Sequence, residues 1–156
     1  MTTKDKIIET AVALFNEQGT AAVSTNHIAA ACNISPGNLY YHFRNKADII
    51  RAIFQQMTQV GVDEYGAIIM QYPPGTAESM EQTFLMIQQF NWRYRFFKRE
   101  LTALVMADPQ LQEQFQATNR LMQQMIRQSI EAGIAAGRTK PLDEQEKAHF
   151  VDAVWL

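Results

Sequence analysis

Apolar residues recur three and four apart along almost the whole of this 156-residue chain, and no stretch holds the strict alternation of a half-buried strand. That periodicity leaves an all-α fold. The first helix is expected over about Lys4 to Gln18, with Ile7, Ile8, Ala11, Leu14 and Phe15 as its inner stripe and Gly19 as its end. A shorter one starts at Ser24 or Thr25, where a hydroxyl can cap free backbone amides, carries Ile28, Ala29 and Ala31, and breaks at Cys32-Asn33. The third opens with Ser35 as N-cap and Pro36 at the first helical position, where a missing amide hydrogen costs nothing, and lasts about two turns. Lys46 to about Met70 forms a long fourth helix with Ile49, Ile53, Met57 and Val60 on one side, ended by Tyr72-Pro73-Pro74-Gly75.

From Thr76 to about Met106 the series Met80, Phe84, Ile87, Phe90, Tyr94, Phe97, Leu101 is spaced as one buried stripe. Asp108-Pro109 divides it from the next helix, whose Leu111, Phe115, Met122, Met125, Ile126, Ile130 and Ile134 run to Gly133 and Gly137. Pro141-Leu142-Asp143 introduces a last helix that reaches Val154-Trp155-Leu156 on a strongly apolar face, so a further C-terminal element is expected.

Composition excludes several classes of function. A single cysteine, Cys32, allows no intramolecular disulfide, which favours a reducing compartment and a cytosolic protein. Residues 1–10 mix both charges with isolated apolar residues, unlike a secretory leader, and no run approaches the roughly 18 apolar residues of a membrane span. The formal charge of −2 rules out generic polyanion binding, yet the first 51 residues carry five basic and four acidic side chains, so the acidic excess lies beyond them. No nucleophile with a positioned base, second carboxylate near a histidine or phosphate-cradling glycine loop occurs, so neither an enzyme nor a cofactor is expected. His27, His42 and Cys32 lack metal-ligand spacing, and Glu146 with His149 reads as a solvated pair.

The positive signal is the pair of short helices. Joined by about three residues, with Ala29 and Ala30 at the crossing and Ile34 in the turn, they make a helix-turn-helix whose second member enters the DNA major groove by its N-terminal end. Seven residues at 1.5 Å rise give roughly 10 Å, which fits a groove roughly 12 Å wide. Ser35 caps that helix, and Pro36 and Gly37 give it a low-profile tip. Asn38 can pair with an adenine edge in two hydrogen bonds, and Tyr40, Tyr41 and His42 can reach phosphates or pyrimidine edges. Leu39 and Phe43, four apart, point inward, so the aromatic run between them cannot all be buried on so short a helix. Lys46, at the start of the fourth helix, is expected to clamp a phosphate, and Thr25, Asn26 and His27 occupy the tip of the helix that lies across the backbone.

"STNHIAAACNISPGNLYYHFRNKADII" resembles the DNA-binding segment of the TetR family of bacterial repressors: Thr25, Ile28-Ala29, Ser35, Gly37, Leu39-Tyr40, Phe43 and Lys46 fall on its pattern, and the match covers about residues 4–54. The resemblance implies a DNA-binding head over residues 1–47 and a helical effector-binding and dimerisation domain over 48–156, with the fourth helix as a lever between them. Family members are usually longer and dimerise through two C-terminal helices, of which this sequence has at most one and part of a second. On that basis the chain is expected to be a homodimeric, ligand-responsive repressor that binds a pseudo-palindromic double-stranded operator. Its effector pocket is expected among Tyr65, Gln88, Asn91, Trp92, Asn119 and Met122, where polar groups interrupt a surplus of methionine and aromatic side chains. The contrasting expectation is a helical adaptor that keeps an unused helix-turn-helix and binds protein through its apolar faces. Arg93, Arg95, Lys98 and Arg99 are expected to form a solvated face opposite the apolar stripe.

Overall fold

The computed structural model describes residues 1–155, apart from the side chains of Phe150 and of 152–155. The described residues form α1 (Thr3–Gln18), α2 (Thr25–Ala31), α3 (Pro36–His42), α4 (Lys46–Gln71), α5 (Ala77–Arg93), α6 (Arg95–Ala107), α7 (Pro109–Ala135) and α8 (Glu144–Trp155). The apolar end at Val154-Trp155-Leu156 lies outside the described side chains. None of the described helices is long and apolar enough to cross a membrane.

The chain folds as two compact units, Met1–Gln59 with Asn91–Gln112, and Val60–Phe90 with Glu113–Leu156. In the first, α1 packs on α2, α2 on α3, and α1 on α6. Local chemistry sets the helix ends. Thr2 and Asp5 form a capping box on α1, Ser24 and Ser35 cap α2 and α3, and Gly19 ends α1 at φ 80°. The turn of the helix-turn-helix needs a left-handed residue, supplied by Asn33 at φ 54°, whose short polar side chain tolerates that region. Ile7, Phe15, Ile28, Leu39, Ile49 and Ile53 are fully buried in this unit, and the thiol of Cys32 lies beside them at 3.8 Å from the Lys6 carbonyl.

The expected single helix over 76–106 is broken at Tyr94, whose φ of −115° and ψ of 34° leave the α-helical range. Asn16 on α1 takes over the hydrogen bonding there: its amide nitrogen donates to the Arg93 carbonyl at 2.8 Å, and its oxygen accepts from the Phe96 amide at 3.0 Å. The break also divides the expected stripe. Tyr94, Phe96 and Phe97 are buried, Phe96 against Phe15 at 5.3 Å and Phe97 stacked on Phe54 at 5.1 Å. On α5, Met80 and Phe84 are instead 62% and 60% exposed, a correction to the stripe.

One turn along α6, Glu100 accepts from Thr20 Oγ1 at 2.5 Å and from the Thr20 amide at 3.1 Å, and pairs with Arg99. Burial pushes this carboxyl up, but the Thr20 hydrogen bonds and the Arg99 charge outweigh it and hold it below its ordinary value. A carboxylate depressed in the folded state contributes stability above its unfolded pKa and loses it as pH falls through the folded one. The melting-temperature gap between wild type and Glu100→Gln is therefore expected to be widest near neutral pH and to close below the ordinary glutamate range. A gap that stays constant across the series would remove ionisation from this account.

The second unit has a thinner core, with Ile130 and Val151 as its buried apolar side chains among the described residues. Gly133 does not end α7 but sits inside it, against the turn at Gly75. A methyl group at Gly75 would lie 2.9 Å from Thr139 Oγ1 and 3.1 Å from the Gly133 Cα, so both positions need glycine for close approach. Arg138 Nε donates to the Pro74 carbonyl at 2.8 Å and ties the same turn down. Glu146 is not simply a solvated neighbour of His149. It accepts from the Asp143 amide while Asp143 accepts from that of Glu146, a reciprocal cap that starts α8.

Candidate nucleic-acid interface

The tip of α3 is built outward from its two anchors. Leu39 is fully buried and Phe43, the C-cap, nearly so. The Ser35 hydroxyl accepts from the Asn38 amide at 3.1 Å, satisfying one free donor of a helix only seven residues long. On the other side Ser35, Pro36, Gly37 and Asn38 are all exposed. Tyr41 is 85% exposed, with only an edge contact to the His42 ring at 5.1 Å. Tyr40, 48% exposed, has its hydroxyl 3.0 Å from Thr25 Oγ1, which links the tips of α2 and α3 into one surface.

Gly37 has no internal reason to be glycine. A methyl group there would meet only Ser35 Oγ, at 3.9 Å, and its backbone is not left-handed. Gly37 is the second residue of α3, so it bears only part of the roughly 0.5–1 kcal/mol by which glycine trails alanine inside a helix. That cost without an intramolecular return is accounted for when something outside the protein must come close to the backbone.

At the tip of α2, the His27 amide donates to Ser24 Oγ at 3.2 Å and His27 Nδ1 accepts from the Ser24 amide at 3.4 Å. His27 thus caps α2 through one ring nitrogen and has Nε2 left for an external partner. Asn26 is exposed and Thr25 half-buried.

Lys46 departs from the expectation of a free phosphate clamp. Its ammonium donates to the Thr20 carbonyl at 2.5 Å and the Val23 carbonyl at 2.9 Å, so two of its three donors hold the segment that leads into α2. The start of α4 is also already served: Asn45 accepts from the Asp48 amide at 2.9 Å, and the Asp48 carboxylate accepts from the Arg44 amide at 3.1 Å. Arg51 in turn is bound by Asp48 and by Asp108, the latter at 2.5 Å. Lys46 is first a structural strut because its stem reaches back across the loop whose carbonyls have no helical partners.

Comparison with known proteins agrees with this geometry at both ends of the chain. Residues 7–53 match bacterial regulatory proteins of the tetR family, and residues 50–156 match the TetR bacterial transcriptional repressor family. The chain belongs to the TetR family. A TetR-family transcriptional regulator from Marinobacter aquaeolei VT8 superposes with a TM-score of 0.88 at 37% identity, over 99% of this chain and 75% of that one. The biofilm operon icaADBC HTH-type negative transcriptional regulator IcaR of Staphylococcus aureus (strain Newman) is 32% identical over 87 residues, covering 56% of this chain and 45% of the relative. The aligned stretch thus spans less than half of that relative's length. The ketosteroid transcriptional regulator KstR2 of Mycobacterium tuberculosis shares the fold, with a TM-score of 0.71 at 20% identity over 98% of this chain and 79% of that one.

The six side chains expected to line an effector pocket in this TetR-family chain do not gather in one unit. Asn91 and Trp92 belong to the first, and Tyr65, Gln88, Asn119 and Met122 to the second. Trp92 is 71% exposed, with Arg95 stacked on its ring at 4.6 Å, and Gln88 is exposed, so neither lines an interior. In the second unit the Tyr65 hydroxyl is hydrogen-bonded to Ser129, Met122 reaches towards Gly61 beside Phe90, and Asn119 Oδ1 is buried with no hydrogen-bond partner. Gln114 Oε1 is another buried, unpartnered acceptor. Sequence reasoning passed over Asn16, Thr20 and Glu100. Asn16 falls on the inner face of α1 beside Phe15, and a polar residue in that register was the only available signal.

Proposed function

We propose that this chain is a cytoplasmic, sequence-specific regulator of transcription, a repressor that binds double-stranded operator DNA as a homodimer through residues 1–47. The observation that carries this reading is the tip of α3. Pro36, Gly37, Asn38 and Tyr41 are exposed on a helix clamped from behind by Leu39 and Phe43, and its glycine serves no internal contact. Asn38 is assigned the direct contact to a base edge. Tyr40, Tyr41, His42, Thr25, Asn26 and His27 are assigned the flanking phosphates and sugars, with Ser35 positioning the helix end and the remaining donor of Lys46 adding one phosphate contact. Two heads spaced about 34–36 Å apart would read an inverted repeat, since one such tip makes too few contacts to discriminate alone.

We assign effector binding to the body, residues 48–156, where the unpartnered acceptor of Asn119 beside Met122 and the Tyr65–Ser129 pair favour a small molecule that donates hydrogen bonds. Its influence on DNA binding is limited by its differential affinity for the two states of the head.

The test is selection of duplexes from a random pool by the purified chain, followed by sequencing. Wild type is expected to enrich an inverted repeat. Gly37→Ala is expected to melt at the same or a higher temperature, since alanine favours the helix by part of that roughly 0.5–1 kcal/mol, yet to lose at least about tenfold in operator affinity because its methyl group obstructs the tip. A Gly37→Ala protein that binds the selected duplex as wild type does would refute the placement of the tip in the groove.

A further inference from the structure

The first unit holds a solvent-open cleft of about 360 Å³ along the outer side of α1, bounded across the gap by the α5–α6 break. Ile8 and Val12 supply apolar lining. Glu9 and Glu17 stand on the α1 wall, eight residues and so roughly 12 Å apart along one helix face. Arg93 and Arg95 stand on the opposite wall. Opposite charges lining one cleft could pair, but among the described residues no ion pair involves any of these four side chains. The arginines are held elsewhere, Arg93 over the Tyr94 ring at 5.4 Å and Arg95 over the Trp92 ring at 4.6 Å with a hydrogen bond to the Trp92 carbonyl at 3.0 Å. The two glutamates are exposed, and among the described residues none is hydrogen-bonded to their carboxylates.

We propose that this cleft is a binding site for a small zwitterion with an apolar body, of amino-acid to dipeptide size. An ammonium group would meet the carboxylates of α1, a carboxylate group the guanidiniums across the gap, and an aliphatic side chain the Ile8 and Val12 lining. Ligands of one sign are selected against: a cation faces two guanidiniums as well as two carboxylates, and an anion the reverse. The volume falls within the range of small-molecule pockets. Asn16 lines the same cleft, so an occupant lies against the side chain that spans the α5–α6 break. This site is separate from the α3 tip and shares no lining residue with the Tyr65, Asn119, Met122 and Ser129 group to which effector binding is assigned, and its existence depends on neither.

Titration of the full chain with leucyl-leucine, followed through the Asn16 side-chain amide and the Phe96 backbone amide by NMR, tests the site. Saturable shifts of both signals are expected. Isoamylamine and 4-methylpentanoate, which carry the same kind of apolar body with one charge each, are expected to bind at least about tenfold more weakly, or about 1.4 kcal/mol. Glu9→Gln/Glu17→Gln and Arg93→Gln/Arg95→Gln are each expected to weaken the dipeptide by at least about tenfold. Arg93→Lys/Arg95→Lys, which keeps both charges, is expected to retain most of the affinity and guards against a folding defect. No saturable shift, equal binding by either singly charged analogue, or unaltered binding by both glutamine double variants would each overturn the assignment.

Discussion

Leu39→Ala is expected to abolish the proposed operator binding although it leaves every exposed side chain of α3 in place. Leu39 is fully buried on a helix of seven residues, which is too short to persist without tertiary anchoring. Removing a buried leucine side chain costs about 2–5 kcal/mol, through lost transfer free energy and the cavity left behind. For a chain of this length each kcal/mol lowers the melting temperature by about 2–4 °C, so a fall of about 5–15 °C is expected by circular dichroism. Tyr41→Ala is the comparison, because Tyr41 is 85% exposed and contributes almost nothing to packing. It should weaken DNA binding with an unchanged melting curve. If Leu39→Ala melts like wild type and binds the selected duplex, α3 is not held in the way its burial implies.

Asn16→Leu is expected to be nearly as damaging, from a side chain outside the helix-turn-helix. Leucine is close in size, but it leaves the Arg93 carbonyl and the buried Phe96 amide without the partners Asn16 supplies. Each buried group left unsatisfied costs about 1–3 kcal/mol, so the pair amounts to about 2–6 kcal/mol. The local signature is hydrogen exchange: the Phe96 amide should lose protection first, ahead of the amides in the middle of α1, as the joint between α1 and α6 loosens. Asn26→Leu, at an exposed position on α2, should leave both stability and exchange near wild type. Unchanged Phe96 protection in Asn16→Leu would mean that the Phe15–Phe96 packing, not the amide bridge, holds the break.

The ends of α1, α2 and α3 were legible because their determinants are local. Ser24 and Ser35 satisfy amides three residues away, Gly19 ends α1, and Pro36 fits only the first turn. The tip residues 35–38 and 41 were legible for the same reason, since a seven-residue helix anchored by Leu39 and Phe43 has only one other side to show.

The break at Tyr94 was not legible. The run from Met80 to Leu101 carries an unbroken helical period, and what interrupts it is an amide 78 positions away from Tyr94, on α1. The internal engagement of two Lys46 donors was illegible for a related reason. A lysine at a helix start favours an anion in isolation, but the fold brings the carbonyls of Thr20 and Val23 within its reach, and a flexible cationic stem takes the nearest unsatisfied acceptors. Sequence by itself determined the helical class, the serine caps of α2 and α3 and the exposure of the α3 tip, all set by neighbours within one turn. Only the tertiary structure decided where the long helix bends, which charges are committed internally and which stay unpaired, because those depend on groups that meet solely after the chain has packed.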